Sequence, residues 1–447
     1  MKTRHLIVLL VWTPVALFAQ ERVPFEGIDS RWQNGSDRRD SSVLTHSPYF
    51  SPSVLVDCNY NYSFNNPIDH TVVGSTALAR HNEFQVSAIH FGGDFNYNQA
   101  RARIMTQFGT RSTIVPRNDV SPYHGQYDLA NVYRYLSEAY AGYHFNKWYG
   151  INVDAGLFVS YIGLNSYYQQ ENWEYQASYT SDNTPWFFNG IRIQIHPTRH
   201  LKIEPWIING WQSYGMFNNM PGLGGNITWM NDHVKLLTNN YVGRDAAGIP
   251  GRVRFHSDNS VLHRYLNRPT ERGLSMAAFS FTADVGLEKG GGVNGFRDGG
   301  VGNPAQYFFS AMAYHRLWFN RNHFAWTVGG GYMKNPGRYL VLLPTGQASP
   351  LPDPSRPTQT AGAFPFSANP GDPFEGWDWS TNLDVLPNQS FTFRIEFVHR
   401  SASVPYFAGA GGVTSPNGYT TMPLPPGWRP DLVRSENKII MAMLFRL

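Results

Sequence analysis

The sequence has little cysteine and little charge, and each shortage excludes a class of protein. A single cysteine, Cys58, among 447 residues excludes a disulfide framework and a cysteine-based zinc or iron–sulfur site. Charged residues make up 15% of the chain, against about 25% in ordinary soluble domains, which argues against a disordered chain or a coiled coil. Lys and Arg number 36 against 32 Asp and Glu, so the charge balance gives no reason to expect nucleic acid as a partner.

Signatures of catalysis are also missing. The sequence has no HExxH, no GxSxG and no phosphate-binding Gly-Lys-Ser/Thr loop, and the Gly-rich stretch 290–302 lacks a Lys and a following helix. The fifteen His form no cluster with ligand spacing, so we expect no metal and no other cofactor. His256 and Asp258 would share one face of an extended strand, and a Ser from elsewhere would complete a hydrolase triad. A barrel hydrolase that uses His256 is therefore kept as the third hypothesis.

The first 19 residues have the pattern of a secretory signal peptide. Lys2 and Arg4 provide a basic start, the run 6–12 is apolar, and Ala19 suits cleavage. The apolar run is too short for a spanning helix, which needs about 20 residues. We expect residues 1–19 to be removed and the mature chain to be exported.

Beyond the signal peptide there is no long apolar run, which excludes a helical membrane protein but not a membrane barrel. The dominant pattern is alternation of apolar and polar residues over about 9–11 positions, the length of a tilted membrane strand. It is clearest in 151–161 and 391–397. A secreted sandwich also alternates, but here charges lie in mid-strand and the apolar face often ends in an aromatic residue, as in membrane girdles. The pattern favours an all-β fold, a transmembrane antiparallel β-barrel.

Short and long connections alternate through much of the chain, as do the short periplasmic turns and long outer loops of such barrels. Short ones are predicted at 96–98, 146–147, 196–200, 231–232 and 335–337, and long ones at 65–82, 110–132, 162–185, 212–224, 244–251 and 345–390. The stretch 290–302 interrupts this order, because the count assigns it to the periplasmic side although it is long. Treating 252–266 as a loop gives about sixteen strands and treating it as a hairpin gives about eighteen. We predict about sixteen, within a range of about 14–18, with both termini in the periplasm.

The chain divides into three predicted regions. They are the signal peptide 1–19, an N-terminal lead-in segment 20–53 and one barrel domain 54–447. The lead-in segment is too short for a plug domain of the kind that fills energised receptors. Within the barrel, 345–390 is rich in Pro, Gly, Ser and Asp. It is either a solvated outer loop or a loop that enters the barrel and constricts it, and both interpretations stay open.

The last segment, 438–447, alternates up to the end of the sequence. Phe445 and Leu447 lie on its apolar face. A terminal strand of this kind resembles the assembly signal of outer-membrane barrels, although the usual final residue there is Phe. We therefore assign Phe445 and Leu447 to a barrel assembly signal.

Several stretches along the chain carry a family resemblance. They are INVDAGLFVSYIGL at 151–164, NWEY at 172–175, SDNTP at 181–185, NGWQ at 209–212, RFHSD at 254–258, NPGRY at 335–339, and FVHR to VPYF across 397–407. Together they resemble the beta-barrel porin family called OmpL-like, over roughly 54–447. The resemblance implies passive transport through a pore in the outer membrane of a Gram-negative bacterium. It supplies no functional residues that could be carried over.

Charges in mid-strand on the polar face are the candidate functional residues. A Lys or Arg that faces lipid at the bilayer midplane costs about 2–4 kcal/mol, so these side chains must face water or each other. The pore-lining candidates are Arg101, Arg103, Glu138, Asp154, Arg192, Lys202, Glu204, Asp284, Arg394, Glu396 and Lys438. They either brace the wall as ion pairs or form a constriction of mixed sign that weakly selects ions, and both interpretations stay open. The mixture of signs gives no firm ion selectivity.

The sequence thus predicts a porin, not an enzyme, that passes small hydrophilic solutes or ions by passive diffusion through a charge-lined lumen. The first alternative is an occluded outer-membrane barrel that serves a binding or assembly role through its loops. Expected partners are the outer-membrane bilayer, the barrel-assembly machinery and the solutes, without nucleic acid. A homo-oligomer is compatible with this by analogy with porin trimers.

Overall fold

The chain forms a closed β-barrel, as seen in a computed structural model. The structure describes residues 22–41, 44, 47–297, 305–337, 373–414, 416–419, 426 and 428–447. The predicted signal peptide 1–19 and residues 345–372 of the predicted long loop lie outside the described residues. In the part of the chain that the structure describes, no helix is both long enough and apolar enough to cross a membrane.

Sixteen antiparallel strands build the barrel, each paired with its neighbours along the chain. They are β1 (Phe50–Ser63), β2 (Phe84–Tyr97), β3 (Ala100–Thr106), β4 (Leu136–Phe145), β5 (Ile151–Val159), β6 (Phe187–Thr198), β7 (Leu201–Ile208), β8 (Gly222–Met230), β9 (Val234–Gly243), β10 (Val253–Asn267), β11 (Leu274–Gly290), β12 (Tyr307–Phe319), β13 (Phe324–Asn335), β14 (Phe374–Asn388), β15 (Phe391–Ala402) and β16 (Ser435–Arg446). The last strand closes the barrel on the first, from Leu55 opposite Arg446 to Ser63 opposite Lys438. The prediction of an antiparallel barrel with about sixteen strands is confirmed.

Alternation along each strand separates an exposed apolar face from a buried polar face. In β7, Ile203 and Ile207 are exposed, while Glu204 is buried. In β15, Phe393 and Ile395 are exposed between buried polar side chains. Because the outer wall of a membrane barrel faces lipid, the exposed apolar side is the outer face and the polar side lines the lumen.

The connections at one end of the barrel are short and those at the other end are long. The short turns are 98–99, 146–150, 199–200, 231–233, 268–273, 320–323 and 389–390. The long connections are 64–83, 107–135, 160–186, 209–221, 244–252, 291–306, 336–373 and 403–434. The predicted asymmetry therefore holds around the whole barrel.

Short helices and strands occur within the long connections. The helices are α1 (Arg111–Ile114), α2 (Leu129–Tyr133) and α3 (Tyr179–Asp182), with 3-10 turns at Val115–Asn118, Ser121–Tyr123 and Gln169–Glu171. Two-residue strands occur at Val293–Asn294, which pairs with β11, and at Phe407–Ala408 and Leu432–Val433, which pair with each other.

Two segments of polar composition are strands, which corrects the sequence-based assignment. The predicted loop 345–390 contains β14, whose outer face carries Trp377 and Trp379. The segment 252–266 is neither a loop nor a hairpin but most of β10, a single strand of 15 residues. Both were hard to recognise because their inward residues are polar, charged or glycine, which resembles loop composition.

Recognising β10 as one strand also restores the order of the connections. A short turn at 268–273 follows it, so the stretch 290–302 belongs to the long-loop end and not to the periplasmic side. The predicted short turn at 335–337 is instead the start of the long connection 336–373. The first strand begins at Phe50, four residues before the predicted boundary.

Among the residues that the structure describes, two segments that lie in the lumen matter for the site. The first is the connection 160–186 between β5 and β6, here called the lumen loop, in which almost every residue is buried or nearly so. The second is residues 22–41, here called the N-terminal segment. Its Trp32 is 1% exposed and packs in one cluster with Trp173 of the lumen loop and Trp318 of β12. From the sequence, only 345–390 was a candidate for such a constricting role, and both of these segments were missed.

Candidate functional site

Arginines of the barrel wall hold the backbone of the lumen loop. Arg394 on β15 donates two hydrogen bonds to Asp384, at 2.7 and 2.8 Å, and one to the carbonyl of Asn172 at 2.8 Å. Arg316 on β12 donates to the same carboxylate at 2.6 Å and to the carbonyl of Trp173 at 3.1 Å. The lumen loop has no strand partner, so these donors satisfy carbonyls that would otherwise be buried without a hydrogen bond.

Carboxylates of the same wall hold the amides of the lumen loop. Glu396 accepts hydrogen bonds from the backbone N–H of Tyr175 at 2.6 Å and of Gln176 at 2.9 Å. Asp378 on β14 accepts from the backbone N–H of Tyr179 at 2.8 Å. Charge-assisted hydrogen bonds of this kind are stronger than neutral ones. The lumen loop is therefore fixed to β12, β14 and β15 from both polar sides of its backbone.

A fully buried ion pair fastens the end of the lumen loop. Arg400 on β15 lies 2.6 Å from a carboxylate oxygen of Asp182, and both side chains are 0% exposed. The same guanidinium donates to the carbonyl of Ala177 at 2.8 Å and lies 4.4 Å from the ring centre of Tyr179. The hydroxyl of Thr76, from the first long connection, donates to Asp182 at 2.7 Å. This half of the lumen is closed by packed side chains.

The pairing of Arg394 with Asp384 gives a first prediction. Arg394→Gln is expected to lower the free energy of unfolding by about 1–3 kcal/mol, because it leaves a buried oxygen of Asp384 and the Asn172 carbonyl without their donor, while Arg316 still offsets the charge of the carboxylate. Guanidinium unfolding of the refolded barrel, followed by tryptophan fluorescence, measures this.

The matched control for that prediction is Lys334→Gln. Lys334 forms an ion pair with Glu375 at 2.7 Å, but both side chains are about two-fifths exposed, 40% and 39%. Water screens such pairs, so this variant is expected to unfold like the parent. Equal unfolding curves for the two variants would contradict the role given to Arg394.

The N-terminal segment packs directly on the lumen loop. The side-chain oxygen of Asn34 accepts from the backbone N–H of Trp173 at 2.9 Å, and the Trp173 indole donates to the carbonyl of Trp32 at 3.2 Å. Asn34 also donates to Glu174 at 3.4 Å, and Asn165 donates to the other oxygen of that carboxylate at 2.5 Å. Burial raises the pKa of Glu174, and the Asn165 hydrogen bond opposes that shift.

Gly35 allows the N-terminal segment and the lumen loop to come into backbone contact. The N–H of Gly35 donates to the carbonyl of Glu171 at 3.1 Å. Gly35 has φ +75°, and a Cβ there would lie 2.2 Å from the carbonyl oxygen of Leu164. Glycine is the residue that accepts both that conformation and that approach.

The other contacts of the N-terminal segment lie around the short-turn end of the barrel. Asp29 is 2.6 Å from Arg264 of β10, and its N–H donates to Asp232 in the turn 231–233 at 2.9 Å. Arg38 donates to the carbonyl of Asn388 at 2.7 Å, at the β14–β15 turn. The segment therefore crosses the mouth of the barrel at this end.

Two carboxylates of the N-terminal segment have lowered pKa values. Burial works to raise the pKa of Asp29, but hydrogen bonds from Arg31 and Arg264 outweigh it, so the pKa lies below its ordinary value. Burial likewise opposes the shift at Asp37, whose pKa is lowered by Arg39 and by the charge of Arg446. Both carboxylates thus favour docking in their ionised form.

On the opposite side of the lumen loop there is a polar cavity of about 530 Å³. Its walls are residues of β3–β5 and β7–β9, with Asp94 of β2 and Arg446 of β16, and its other boundaries are the lumen loop and the N-terminal segment. The charged residues that line it are Asp94, Arg103, Glu138, Glu171, Lys202, Lys235 and Arg446. Tyr140, Tyr161, Tyr167 and Tyr168 supply aromatic surface.

Most charges of the cavity are paired. Arg103 bridges Asp94 and Glu138, each at 2.6 Å, and Tyr168 donates to Glu138 at 2.6 Å. Lys202 pairs with Glu204 at 2.5 Å. Arg446 pairs with Glu171 and lies 3.2 Å from Asp37. The cavity wall therefore carries a network of ion pairs, whose positive and negative groups are partly open to solvent.

Seven of the pore-lining candidates come together on β3–β7. Arg103, Glu138 and Lys202 line the cavity, and Glu204 pairs with Lys202. Arg101, Asp154 and Arg192 form a second group beside it, in which Asp154 lies 3.3 Å from Arg101 and 2.9 Å from Arg192. The Arg192 guanidinium also stacks 4.5 Å from the ring centre of Tyr140.

The other four candidates lie elsewhere on the inward face. Arg394 and Glu396 hold the lumen loop, as described above. Lys438 is 1% exposed and pairs with Glu436 at 2.7 Å. Asp284 is buried beside His256 on the β10–β11 pair. As determinants of permeation all the candidates stay predictions.

Several residues of this site were missed from the sequence. Lys235, Glu171 and Arg446 line the cavity, and Arg316, Asp378, Asp384 and Arg400 hold the lumen loop. The alternation of 374–388 would have placed Asp378 and Asp384 on one face, but its glycine, proline and polar residues resembled a loop. Glu171 lies in a connection, where periodicity carries no information.

The two residues assigned to the assembly signal lie at the closure of the barrel. Phe445 on β16 is opposite Val56 of β1 and Phe391 of β15. Leu447 exchanges backbone hydrogen bonds with Val54, at 2.8 and 2.9 Å. Their role in assembly stays a prediction.

His256, the residue of the hydrolase hypothesis, is inaccessible. Its side chain is 0% exposed, with Nε2 3.7 Å from a carboxylate oxygen of Asp284 and its ring packed against Trp211. A solute in the cavity does not reach this imidazole. In the part of the chain that the structure describes, no three His, Cys, Asp or Glu side chains are grouped so as to hold a metal ion.

Comparison with known proteins gives one family and a set of similar folds. The family model described as "Putative beta-barrel porin-2, OmpL-like" matches residues 50–422. No curated protein matches the chain.

The solved structures that resemble the barrel are outer-membrane proteins at very low identity. The anion-selective porin from Comamonas acidovorans is 9% identical, with 89% of this chain and 99% of that chain covered and a TM-score of 0.50. The outer membrane channel DcaP of Acinetobacter baumannii is 9% identical, with 89% and 97% covered and a TM-score of 0.48. OmpT, an outer membrane protein of Vibrio cholerae, is 8% identical, with 89% and 99% covered and a TM-score of 0.48. The first of these likenesses shows the fold alone.

Proposed function

Because the chain belongs to the OmpL-like family of beta-barrel porins, we propose that small hydrophilic solutes cross it by passive diffusion beside the lumen loop, through the cavity next to β3–β9. The protein is an outer-membrane porin of a Gram-negative bacterium, with the family and fold of a channel rather than an enzyme.

The observation that carries the proposed route is the asymmetry of the lumen. Toward β12, β14 and β15, fully buried ion pairs and hydrogen bonds fix the lumen loop to the wall. Toward β3–β9, the loop meets the wall at individual contacts, such as Tyr168 with Glu138 and Tyr161 with Asn240, and a polar cavity of about 530 Å³ lies between the loop and the wall beside them. That volume lies within the range of small-molecule sites, so the cavity has room for a small solute.

The charges along this route suit weak selection among hydrophilic solutes. Ion pairs such as Arg103 with Glu138 present both signs to the cavity, which keeps water ordered without a strong net field. A solute exchanges its hydration for these groups and leaves again, because conduction requires binding that is weak enough for release.

Single-channel conductance of the refolded protein in a planar bilayer tests the proposal. We expect stable steps that are smaller than those of an open barrel of the same strand number, because two segments fill part of the lumen. In a salt gradient, Arg103→Glu should shift the reversal potential toward cations. An unchanged potential in an active variant would remove Arg103 from the route.

An occluded barrel is the second candidate function, favoured by the filled lumen. In that case the folded protein would be silent, and its loops would serve a binding or assembly role. Removing the N-terminal segment distinguishes the two, since it would turn a silent barrel into a conducting one. Contact with the assembly machinery and a homo-oligomer stay predictions.

A further inference from the structure

Lys235 is the one lysine or arginine of the cavity lining whose charge is not offset by a contact. It lies on the inward face of β9, between the outward residues Val234 and Leu236, and opposite Met230 of β8. Its ammonium has no hydrogen-bond or ion-pair partner among the residues that the structure describes. It is partly exposed to the cavity, so a solute can reach it.

The surroundings of Lys235 on the wall do not neutralise it. The nearest strand, β8, presents uncharged Asn226, Thr228 and Met230 to the cavity. One strand further, Lys202 lies opposite Thr228, and its charge is offset by Glu204. This short-turn end of the cavity therefore has an excess of positive charge.

The acids on the facing elements are already paired. Glu171 of the lumen loop forms an ion pair with Arg446. Asp94 and Glu138 share Arg103. Rearranging these pairs to reach Lys235 would break existing charge-assisted hydrogen bonds, which are stronger than neutral ones.

We propose that Lys235 is the binding site for the carboxylate of a small hydroxylated monoanion that passes through the cavity. This inference rests on the proposed function and names its solute class. A single free ammonium matches one negative charge, whereas a phosphate dianion is held best by planar arginine forks, and the arginines here are already paired. The polar side chains of β8 and the tyrosines of the cavity suit the hydroxyl groups of such a solute.

The test compares two probes of similar size, glucose and gluconate, which differ in one carboxylate. Proteoliposomes with the full chain are used to measure the initial flux of each probe. Lys235→Gln is expected to lower the gluconate-to-glucose flux ratio about two- to fivefold, the range for one partly exposed ion pair, because only gluconate loses an attraction. Lys235→Arg should preserve the ratio because it keeps the charge.

The matched control is Lys147→Gln. Lys147 is an exposed lysine in the turn 146–150, at the same end of the barrel, and it contacts Trp148 rather than the cavity. Its removal lowers the surface charge of the mouth equally, so an unchanged ratio in this variant assigns the effect to the cavity. If Lys235→Gln does not fold, Lys235→Met removes the same charge with a similar unbranched side chain.

Three results would overturn the inference. Fluxes of both probes that stay at the parent values in a folded neutral variant mean that Lys235 does not bind the anion. An equal loss for both probes means that Lys235 shapes the route and does not recognise charge. A parent protein that passes neither probe overturns the proposed function itself. This result is seen in the parent without any variant, which distinguishes it from the other two.

Discussion

Replacing residues 163–183 of the lumen loop with a short Gly-Ser linker is expected to raise single-channel conductance at least about threefold. The ends of β5 and β6 remain intact, since these strands stop at Val159 and start at Phe187. The loop fills the lumen from the wall of β12, β14 and β15 to the cavity. A sixteen-strand barrel without such a loop encloses a wide aqueous channel.

The same replacement is expected to widen the range of solutes. Larger neutral sugars should enter proteoliposomes, because the boundary of the cavity formed by Tyr167 and Tyr168 is gone. The wall charges that held the loop, among them Arg400 and Glu396, would then face water, which removes the need for a buried partner.

The control for this replacement shortens another long connection that does not enter the lumen. Residues 248–250 form the exposed tip of the connection 244–252, at the same end of the barrel. Their removal should leave conductance at the parent value. If the variant without the lumen loop is folded, as judged by β-sheet circular dichroism, and still conducts like the parent, the loop is not the constriction.

The wall of the barrel could be predicted from the sequence because alternation reports it directly. In β5 every outward residue is apolar, and in β15 the outward residues from Phe391 to Phe397 are apolar, while the inward residues of both strands are mostly polar. Both segments were recognised with their charges on the correct face. The pattern fails for β10 and β14, where inward residues such as His256, Asp378 and Asp384 resemble loop composition. A transmembrane strand signal is weak for each segment, so one unusual face is enough to hide it.

The contents of the lumen could not be predicted in the same way. The lumen loop has no period, because it is fixed by single contacts with residues far away in the chain. Arg316 and Arg394 reach its backbone across separations of 143 and 222 residues. One signal was present: the stretches 172–175 and 181–185, which carry part of the family resemblance, lie in this loop and not in a strand.

The lead-in segment is too short to form a plug domain, yet its residues 22–41 lie in the lumen. A folded plug domain needs a core of its own, and residues 22–41 have none. They need none here, because Trp32 shares a core with Trp173, Leu262 and Trp318. A segment of this size is sufficient because the lumen loop and the wall supply the rest of that core.

Deleting residues 22–41 is therefore expected to raise conductance about twofold and to make it insensitive to acid. In the parent, the lowered pKa values of Asp29 and Asp37 mean that docking of the segment is favoured above their ordinary value of about 3.9. That contribution is lost as the pH falls through the still lower pKa values of the docked state. Parent conductance should then rise below about pH 4, and the deletion variant should not respond.

Two glycine variants test whether the contact between the N-terminal segment and the lumen loop keeps the conductance low, or whether any alanine substitution in the segment changes it. Gly35→Ala is expected to reproduce part of the conductance rise, since its Cβ would lie 2.2 Å from the Leu164 carbonyl oxygen. Gly27→Ala bears the same backbone strain, with φ +70° against +75°, but its Cβ has no atom within 4 Å. It should conduct like the parent at neutral pH. Equal conductance for both alanine variants would mean that contact with the lumen loop does not hold the segment across the mouth, and that the turns at Asp232 and Asn388 are sufficient to keep it there.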